Sequence, residues 1–312
     1  MKKVKKALFF AIFCVLVSTP TLSKSELRVV ASIKPIHSLV AAVMQGAGAP
    51  DLIIDGVSSP HAYAMRPSQA RNLQNADVIF WVGPELEAFL EKSVATTGQK
   101  ATSVPLIDHE NMIRKEFRDH DDHDHANPAD KGDNDSHNNE KNPTDPHIWL
   151  DPVNAKTMVR VIADTLSQAD PAAAARYRQN AVNLTARLAQ LTADVAATLA
   201  PLKDKKYIVF HDAYQYFEAR FGMASVGALT LNPDVLPGAE HLRDMKQKVA
   251  ALGATCVFSE PQFKPKLVSL VIEGTAAKSS VLDPLGASIP AGPDQYFKLI
   301  TDMAAAMRKC LS

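Results

Sequence analysis

The stretch KYIVFHDAYQYFEARF, residues 206–221, holds an apolar run, a short polar junction and a helical pattern in immediate succession. It predicts a strand over 206–210 that is followed by a helix over 213–221. His211 and Asp212 lie at the junction between them. Because ligands of α/β proteins gather at the carboxyl ends of strands, this junction is a candidate binding position.

The same succession of strand and helix recurs on both sides of this stretch. Further apolar runs predict strands over 27–33, 52–57, 76–82, 225–229, 255–259 and 279–282. Helical patterns cover 36–44 and begin again near residues 67, 239 and 265. An alternation of this kind predicts two similar α/β lobes with mostly parallel sheets flanked by helices.

A long helix is predicted between the two halves. Asp170 supplies an N-cap, Pro171 suits the first helical position, and neither Gly nor Pro follows before Pro201. A helix over 172–200 would be roughly 43 Å long and would restrict hinge opening. One apolar stripe runs along it: Tyr177, Ala181, Leu184, Leu188, Leu191, Val195 and Leu199. The expected units are a first lobe, a rigid linking helix and a second lobe, at 26–170, 171–201 and 202–312.

The N-terminus has the pattern of a cleaved secretory signal peptide, which we place at residues 1–25. Lysines precede an apolar run over 7–17, which is too short for a membrane helix of roughly 20 residues. Cys14 lies inside this run and is expected to be removed with it. The mature chain is therefore expected in the periplasm.

The two remaining cysteines, Cys256 and Cys310, are expected to form a structural disulfide. An even pair of cysteines in an oxidising compartment favours such a bridge. A cysteine metal site is the alternative, although neither residue has the C-x-x-C spacing of such sites.

The formal charge of the whole chain is balanced, with 34 basic and 34 acidic residues, and no basic stretch is interleaved with aromatic residues. Nucleic acid is therefore not an expected partner. Residues 118–144, by contrast, are rich in Asp, Asn and His and lack large apolar side chains, so this segment is expected to be a disordered loop. His-rich acidic tracts bind metals, which makes four histidines a candidate secondary zinc site: His120, His123, His125 and His137.

Three other histidines occupy strand ends or turns: His61, His147 and His211. Taken singly, each is more often a solvated loop residue or a cap than a ligand. Together, three neutral imidazoles and one oxygen would make a tetrahedral site suited to Zn²⁺. Asp283 follows another predicted strand and is a candidate for the oxygen ligand, with a turn residue as the alternative. Glu260 closes a further strand and could orient a ligand, or serve as an ordinary turn carboxylate.

The remaining three histidines do not belong to such a set of candidate ligands. His37 lies near a helix start, His109 adjoins a loop, and His241 falls within a predicted helix. All three are expected to be structural or solvated.

Four motifs, in order along the chain, carry a resemblance to a known family. They are PHAY at 60–63 with RPS at 66–68, DPHIWLDP at 145–152, FHDAY at 210–214 and LDPLG at 282–286. With them the chain resembles the metal-binding receptors of the zinc and manganese ABC uptake systems, over nearly its whole mature length. The resemblance implies two lobes that one rigid helix joins and a metal site in the cleft between them.

The resemblance also implies the ligands and the metal. His61 and His147 would come from the first lobe and His211 from the second. Manganese members usually have Glu where this chain has His211, and the His-rich insertion is typical of zinc members. Some zinc receptors have Glu directly before the first histidine, but this chain has Pro60. The fourth position is thus left to Asp283, to water or to a histidine of the 118–144 segment.

The function implied is that of a periplasmic receptor rather than an enzyme. It would capture Zn²⁺ and deliver it by direct docking to an inner-membrane ABC permease and its ATPase subunit, and we expect it to be a monomer. Two alternatives come from other classes. A periplasmic zinc hydrolase would use a metal-bound water, and a manganese receptor or an adhesin could share the same fold.

Overall fold

The computed structural model of the chain describes residues 26–96, 100–118, 144–230, 238–253, 255–264 and 266–312. Four strands in its first part form one parallel sheet in the order β2-β1-β3-β4. The elements of this first lobe are β1 (Val29–Ile33), α1 (Lys34–Met44), β2 (Asp51–Ile54), α2 (Pro67–Asn75), β3 (Val78–Trp81), α3 (Ala88–Thr96) and β4 (Thr102–Pro105). The central strands β1 and β3 are buried along their whole length, as apolar parallel strands between helices must be.

The second part repeats this arrangement. Four of its described strands form a second parallel sheet in the order β6-β5-β7-β8. Its elements are β5 (Tyr207–His211), α6 (Gln215–Phe221), β6 (Ala228–Thr230), α7 (Ala239–Leu252), β7 (Cys256–Ser259), α8 (Lys266–Ile272), β8 (Lys278–Val281) and α9 (Gln295–Leu311). The predicted pair of α/β lobes with parallel sheets is confirmed.

Two consecutive helices, α4 (Pro152–Ala169) and α5 (Ala174–Leu199), lie between the sheets in the sequence. The start predicted for the second helix was placed too early. The backbone N–H of Asp170 still bonds to Leu166 of α4, and residues 171–173 form a turn, so Asp170 ends α4 instead of capping α5. The 26 residues of α5 span about 39 Å.

The predicted apolar stripe of α5 faces the core. All its members are buried except Ala181, which is half-buried, and the helix packs against α1, α4 and α9. Full burial of one leucine such as Leu188 contributes about 2 kcal/mol. The stripe therefore anchors α5 to helices from both ends of the chain.

The segment after β8 connects the two lobes. Lys34 Nζ at the start of α1 donates hydrogen bonds to the carbonyls of Ala287 and Ile289, at 2.8 and 3.0 Å. Gly286 in this segment has φ +65°, and a Cβ there would meet Gln295 Nε2 at 2.4 Å. The turn therefore requires glycine, because any side chain would be both strained and crowded.

Cys256 and Cys310 form the predicted disulfide, with their Cα atoms 6.0 Å apart. The bridge joins the end of α9 to the first residue of β7. It lies at the amino end of the second sheet, away from the carboxyl ends of the strands. Within the described ranges, no helix combines the length and the apolar character that crossing a lipid bilayer requires.

Candidate metal centre

Three histidines from distant parts of the chain converge. His61 lies in the loop after β2, His147 directly precedes a short 3-10 helix at Ile148–Leu150, and His211 is the last residue of β5. One ring nitrogen of each lies within 4.8 Å of those of the other two. Their ring centroids are 4.9 to 5.4 Å apart. Among the described residues, this is the group of His, Cys, Asp and Glu that is compact enough to hold a metal ion.

The order of the second sheet explains why His211 is available. The chain leaves β5 toward β6 on one side and returns to β7 on the other, so the loops that follow the paired strands β5 and β7 leave the sheet in opposite directions. A crevice forms at such a switch point, and ligands bind there. His211 ends β5 and Glu260 directly follows β7, which places both side chains in this crevice.

His147 is oriented by the aspartate two residues before it. Asp145 Oδ1 lies 2.7 Å from His147 Nδ1 and also accepts a hydrogen bond from the backbone N–H of His147 at 3.0 Å. Asp145 is fully buried, and its other oxygen accepts a hydrogen bond from Gln215 at 3.1 Å. With Nδ1 facing this carboxylate, the lone pair of Nε2 is the one left for a metal.

Glu260 stands in the same relation to His211. Its carboxylate oxygens lie 3.3 and 3.4 Å from His211 Nδ1. The hydroxyl of Tyr214 lies 2.9 Å from Glu260 Oε1, and burial raises the pKa of Tyr214 well above its ordinary value, so this hydroxyl stays protonated. Glu260 therefore lies close enough to orient the ring of His211, which is one of the two roles that its sequence position allowed.

The site is electrically suited to a cation that imidazoles bind. Burial, and then the neighbouring His147 and His211, lower the pKa of His61 from 6.5 to about 2, which keeps its ring neutral. His147 and His211 are 2% and 3% exposed. His211 Nε2 is buried without a hydrogen-bond partner among the described residues, as expected of an atom whose partner is a metal.

A cavity of about 20 Å³ adjoins the three rings. Its walls are mainly apolar and aromatic, contributed by Pro60, Trp149, Phe263, Pro284 and Leu285. Trp149 is held there by a hydrogen bond from its ring N–H to the carbonyl of Pro284, at 2.8 Å across the two lobes. The space beside the histidines is thus small, and side chains of both lobes enclose it.

The structure does not bring Asp283, the candidate oxygen ligand, into the histidine group. One oxygen of its carboxylate accepts hydrogen bonds from the backbone N–H groups of Leu285 and Gly286, and the other accepts one from Ala287. A carboxylate so engaged holds its own turn. Asp283 thus fits the turn alternative that its sequence position also allowed.

The remaining candidates lie elsewhere. His37 is buried, and its Nε2 lies 3.1 Å from the carbonyl of Pro50. His109 is half-buried, and its Nδ1 accepts a hydrogen bond from the backbone N–H of Asn111 at 3.4 Å. His241 lies in α7. The four histidines of the 118–144 segment fall outside the described residues: His120, His123, His125 and His137.

The sequence alone did not indicate one group beside the site. Arg118 donates to both carboxylate oxygens of Asp212, with Nε 3.1 Å from Oδ2, and also to Glu218 at 2.8 Å. Asp212 directly follows His211, so the guanidinium connects the end of the 100–118 segment with the turn that carries a candidate ligand. An isolated arginine beside an acidic stretch of sequence gives no pattern that would reveal this contact.

The chain resembles known proteins over nearly its whole length. A family model described as "ZnuA: Zinc-uptake complex component A periplasmic" matches residues 29–310. The high-affinity zinc uptake system protein ZnuA of Brucella suis is 48% identical over 325 residues, covering 97% of this chain and 96% of that protein.

Solved structures show the same fold. A crystal structure of ZnuA superposes with a TM-score of 0.73 at 22% identity, covering 90% of this chain and 99% of that chain. A mutant of the laminin-binding adhesin Lmb from Streptococcus agalactiae gives 0.74 at 20% identity, covering 92% and 100%. Because these structures are so distant in sequence, they carry the fold alone.

Proposed function

The chain belongs to the family of periplasmic zinc-uptake complex components, and we propose how its residues serve zinc uptake. The protein is a periplasmic receptor that captures Zn²⁺ for an ABC importer. His61, His147 and His211 are its zinc ligands. The single observation that carries this assignment is the approach of three ring nitrogens to within 4.8 Å of one another.

The donor set favours zinc over manganese. Imidazole nitrogens bind Zn²⁺ at about 2.0–2.1 Å in tetrahedral sites, whereas carboxylate-rich sites suit Mn²⁺. The two nearby carboxylates, Asp145 and Glu260, face the Nδ1 atoms of His147 and His211, so they support the ligands instead of replacing them. Such outer partners fix the ring orientation and raise the basicity of the ligand.

The receptor is not an enzyme. A zinc hydrolase needs a carboxylate that is free to act as a general base on a metal-bound water. Glu260, the carboxylate that lines the cavity, is already engaged by His211 and Tyr214. This arrangement supports binding and release of the ion more than turnover of a substrate.

Zinc passes from the receptor to an inner-membrane permease that an ATPase subunit drives. We propose that the receptor docks directly on the permease as a monomer after a signal peptide at residues 1–25 has been cleaved. The lobes at 26–170 and 202–312 would then move little relative to each other. The long α5 and the hydrogen bonds of Lys34 to Ala287 and Ile289 support this restricted motion.

The segment 118–144 is proposed as a secondary zinc collector. Residues 118–147 contain nine acidic and three basic residues, a charge that attracts divalent cations before they reach the fixed site. Deletion of 119–143 should leave one tight zinc site intact and remove only weaker binding. Loss of tight binding in this deletant would refute the division into a collector and a fixed site.

Growth in zinc-depleted medium tests the proposed function. A strain that lacks its own zinc receptor but retains the permease should grow when it expresses this chain, and should fail with the triple variant His61→Ala, His147→Ala, His211→Ala. His109→Ala, outside the histidine group, is the matched control. Full growth with the triple variant, at equal periplasmic amounts of protein, would refute the proposal.

A further inference from the structure

Gln262 is the polar residue of the cavity that no role yet explains. It lies two residues after Glu260 and lines the same cavity as the three histidines. Its side-chain oxygen Oε1 is buried and has no hydrogen-bond partner among the described residues. Buried acceptors nearly always have a partner, so this atom points to one that the protein itself does not supply.

The orientation of the Gln262 amide follows from its neighbour. Gln262 Nε2 lies 3.2 Å from Asp283 Oδ1. The Asp283 carboxylate accepts hydrogen bonds from the N–H groups of Leu285, Gly286 and Ala287, and as an acceptor it requires the NH₂ group of Gln262 to face it. Reversing the amide would place two oxygens against each other. The carbonyl oxygen is therefore held on the side away from Asp283.

The three imidazoles provide three of the four positions of a tetrahedral zinc site. Asp283 is engaged by its own turn, and Pro60 cannot supply the oxygen ligand that Glu supplies in some relatives of this type. The cavity of about 20 Å³ has room for about one water molecule. A water bound to zinc is a strong hydrogen-bond donor. The carbonyl oxygen of Gln262 is an acceptor that has no donor among the described residues.

We propose that Gln262 is a positioning residue for the fourth coordination site: its side-chain carbonyl accepts a hydrogen bond from the water that completes the tetrahedron around zinc. Asp283 acts through Gln262, because it fixes the amide. This inference rests on the proposed function. It assigns to the Asp283–Gln262 pair the outer-sphere role that Asp145 and Glu260 have toward the histidines.

Three variants separate this role from a structural one. Gln262→Met removes the acceptor and the donor at similar volume. Gln262→Glu keeps an oxygen at the end of the side chain but loses the donor to Asp283. Gln262→Asn keeps both groups and withdraws them by one methylene. Gln190→Met, on the exposed face of α5, is the matched control.

Two measurements on the full-length protein read out the effect: zinc affinity in competition with a chelator, and the visible absorption spectrum of the Co²⁺ form, which reports coordination number and the fourth ligand. Loss of an outer-sphere partner typically costs 10- to 100-fold in affinity, so we expect about a 10-fold loss for Gln262→Met and Gln262→Asn. Their Co²⁺ bands should shift. Gln262→Glu keeps an acceptor but loses the hydrogen bond to Asp283, so it should lose less zinc affinity than Gln262→Met, and the control should match the parent.

The proposal is overturned if Gln262→Met keeps the parent's zinc affinity and Co²⁺ spectrum. It is also overturned if the Met and Glu variants lose affinity equally, because Gln262 would then act only by holding Asp283. If the Met variant fails to fold, comparing the zinc affinities of the Asn and Glu variants tests the proposal in the same way. Weak zinc binding by the parent itself would instead refute the proposed function, so the two failures are distinguishable.

Discussion

Asp145 Oδ1 lies 2.7 Å from His147 Nδ1 and 3.0 Å from the backbone nitrogen of the same residue. One carboxylate oxygen thus fixes both the ring and the backbone of a candidate ligand. Asp145 also accepts a hydrogen bond from Gln215 of α6, which begins four residues after His211. The two histidines are therefore positioned by connected contacts.

Replacing Asp145 should weaken zinc binding without removing a ligand. We expect about a 10-fold loss of affinity in Asp145→Asn, because the amide oxygen can still accept from Nδ1, and about a 100-fold loss in Asp145→Ala. Isothermal titration of the metal-free variants measures both. Asp164→Asn, exposed on α4, is the control, and unchanged affinity in Asp145→Ala would contradict the assigned role.

Arg118 should matter for stability. In Arg118→Met the buried carboxylates of Asp212 and Glu218 lose their cation, and because the arginine side chain is 27% exposed we expect a loss of about 3 kcal/mol. Urea unfolding of the metal-free protein measures it. Lys298→Met breaks the exposed pair with Asp302 and should cost less than about 1 kcal/mol. Equal effects of the two substitutions would contradict this ranking.

The metal-free protein should lose stability in acid, in part through His61. Burial lowers the pKa of His61 from 6.5 to about 2, so below pH 6.5 the unfolded chain binds a proton there that the folded chain does not. Stability is then full above the unfolded pKa and falls as the pH drops below it, by at most about 1.4 kcal/mol per pH unit from this residue. Urea unfolding at about pH 7.5 and about pH 5.5 should show a smaller acid loss in His61→Gln than in the parent. Identical losses would contradict the assignment.

The disulfide should stabilise the fold without affecting the metal site. Its closure spans 54 residues, for which the chain-entropy model gives about 4 kcal/mol. The double variant Cys256→Ser, Cys310→Ser should therefore melt at a lower temperature and bind zinc as the parent does, because the bridge lies at the amino end of β7 and the histidines at the carboxyl ends. A variant with the parent's melting temperature but weaker zinc binding would contradict this separation.

Much of this architecture could be predicted because it depends on local pattern. Apolar runs located seven of the eight described strands, β4 being the exception, and they placed His211 at the end of a strand. The start of α5 was missed because Asp170 and Pro171 have the residue types of a helix start, although Asp170 ends α4 and residues 171–173 form a turn. Asp170 suits the end of one helix as well as the start of the next.

The contacts around the histidines depend on where side chains point. Asp283 stands at a strand end like His211, yet three downstream N–H groups turn its carboxylate toward its own loop. No sequence spacing indicates a role for Gln262 or Arg118, because their hydrogen-bond partners lie far away in the sequence or in the other lobe. Asp145 had a usable signal, because an aspartate two residues before another residue can accept from that residue's backbone N–H.

Calorimetric titration of the metal-stripped protein with Zn²⁺ and with Mn²⁺, beside the variant His211→Ala, tests whether the three histidines form a tight zinc site. We expect one tight zinc site in the parent, weaker manganese binding, and a sharp loss of zinc affinity in the variant. Weak or absent zinc binding in the parent, or an undiminished tight site in His211→Ala, would contradict this expectation.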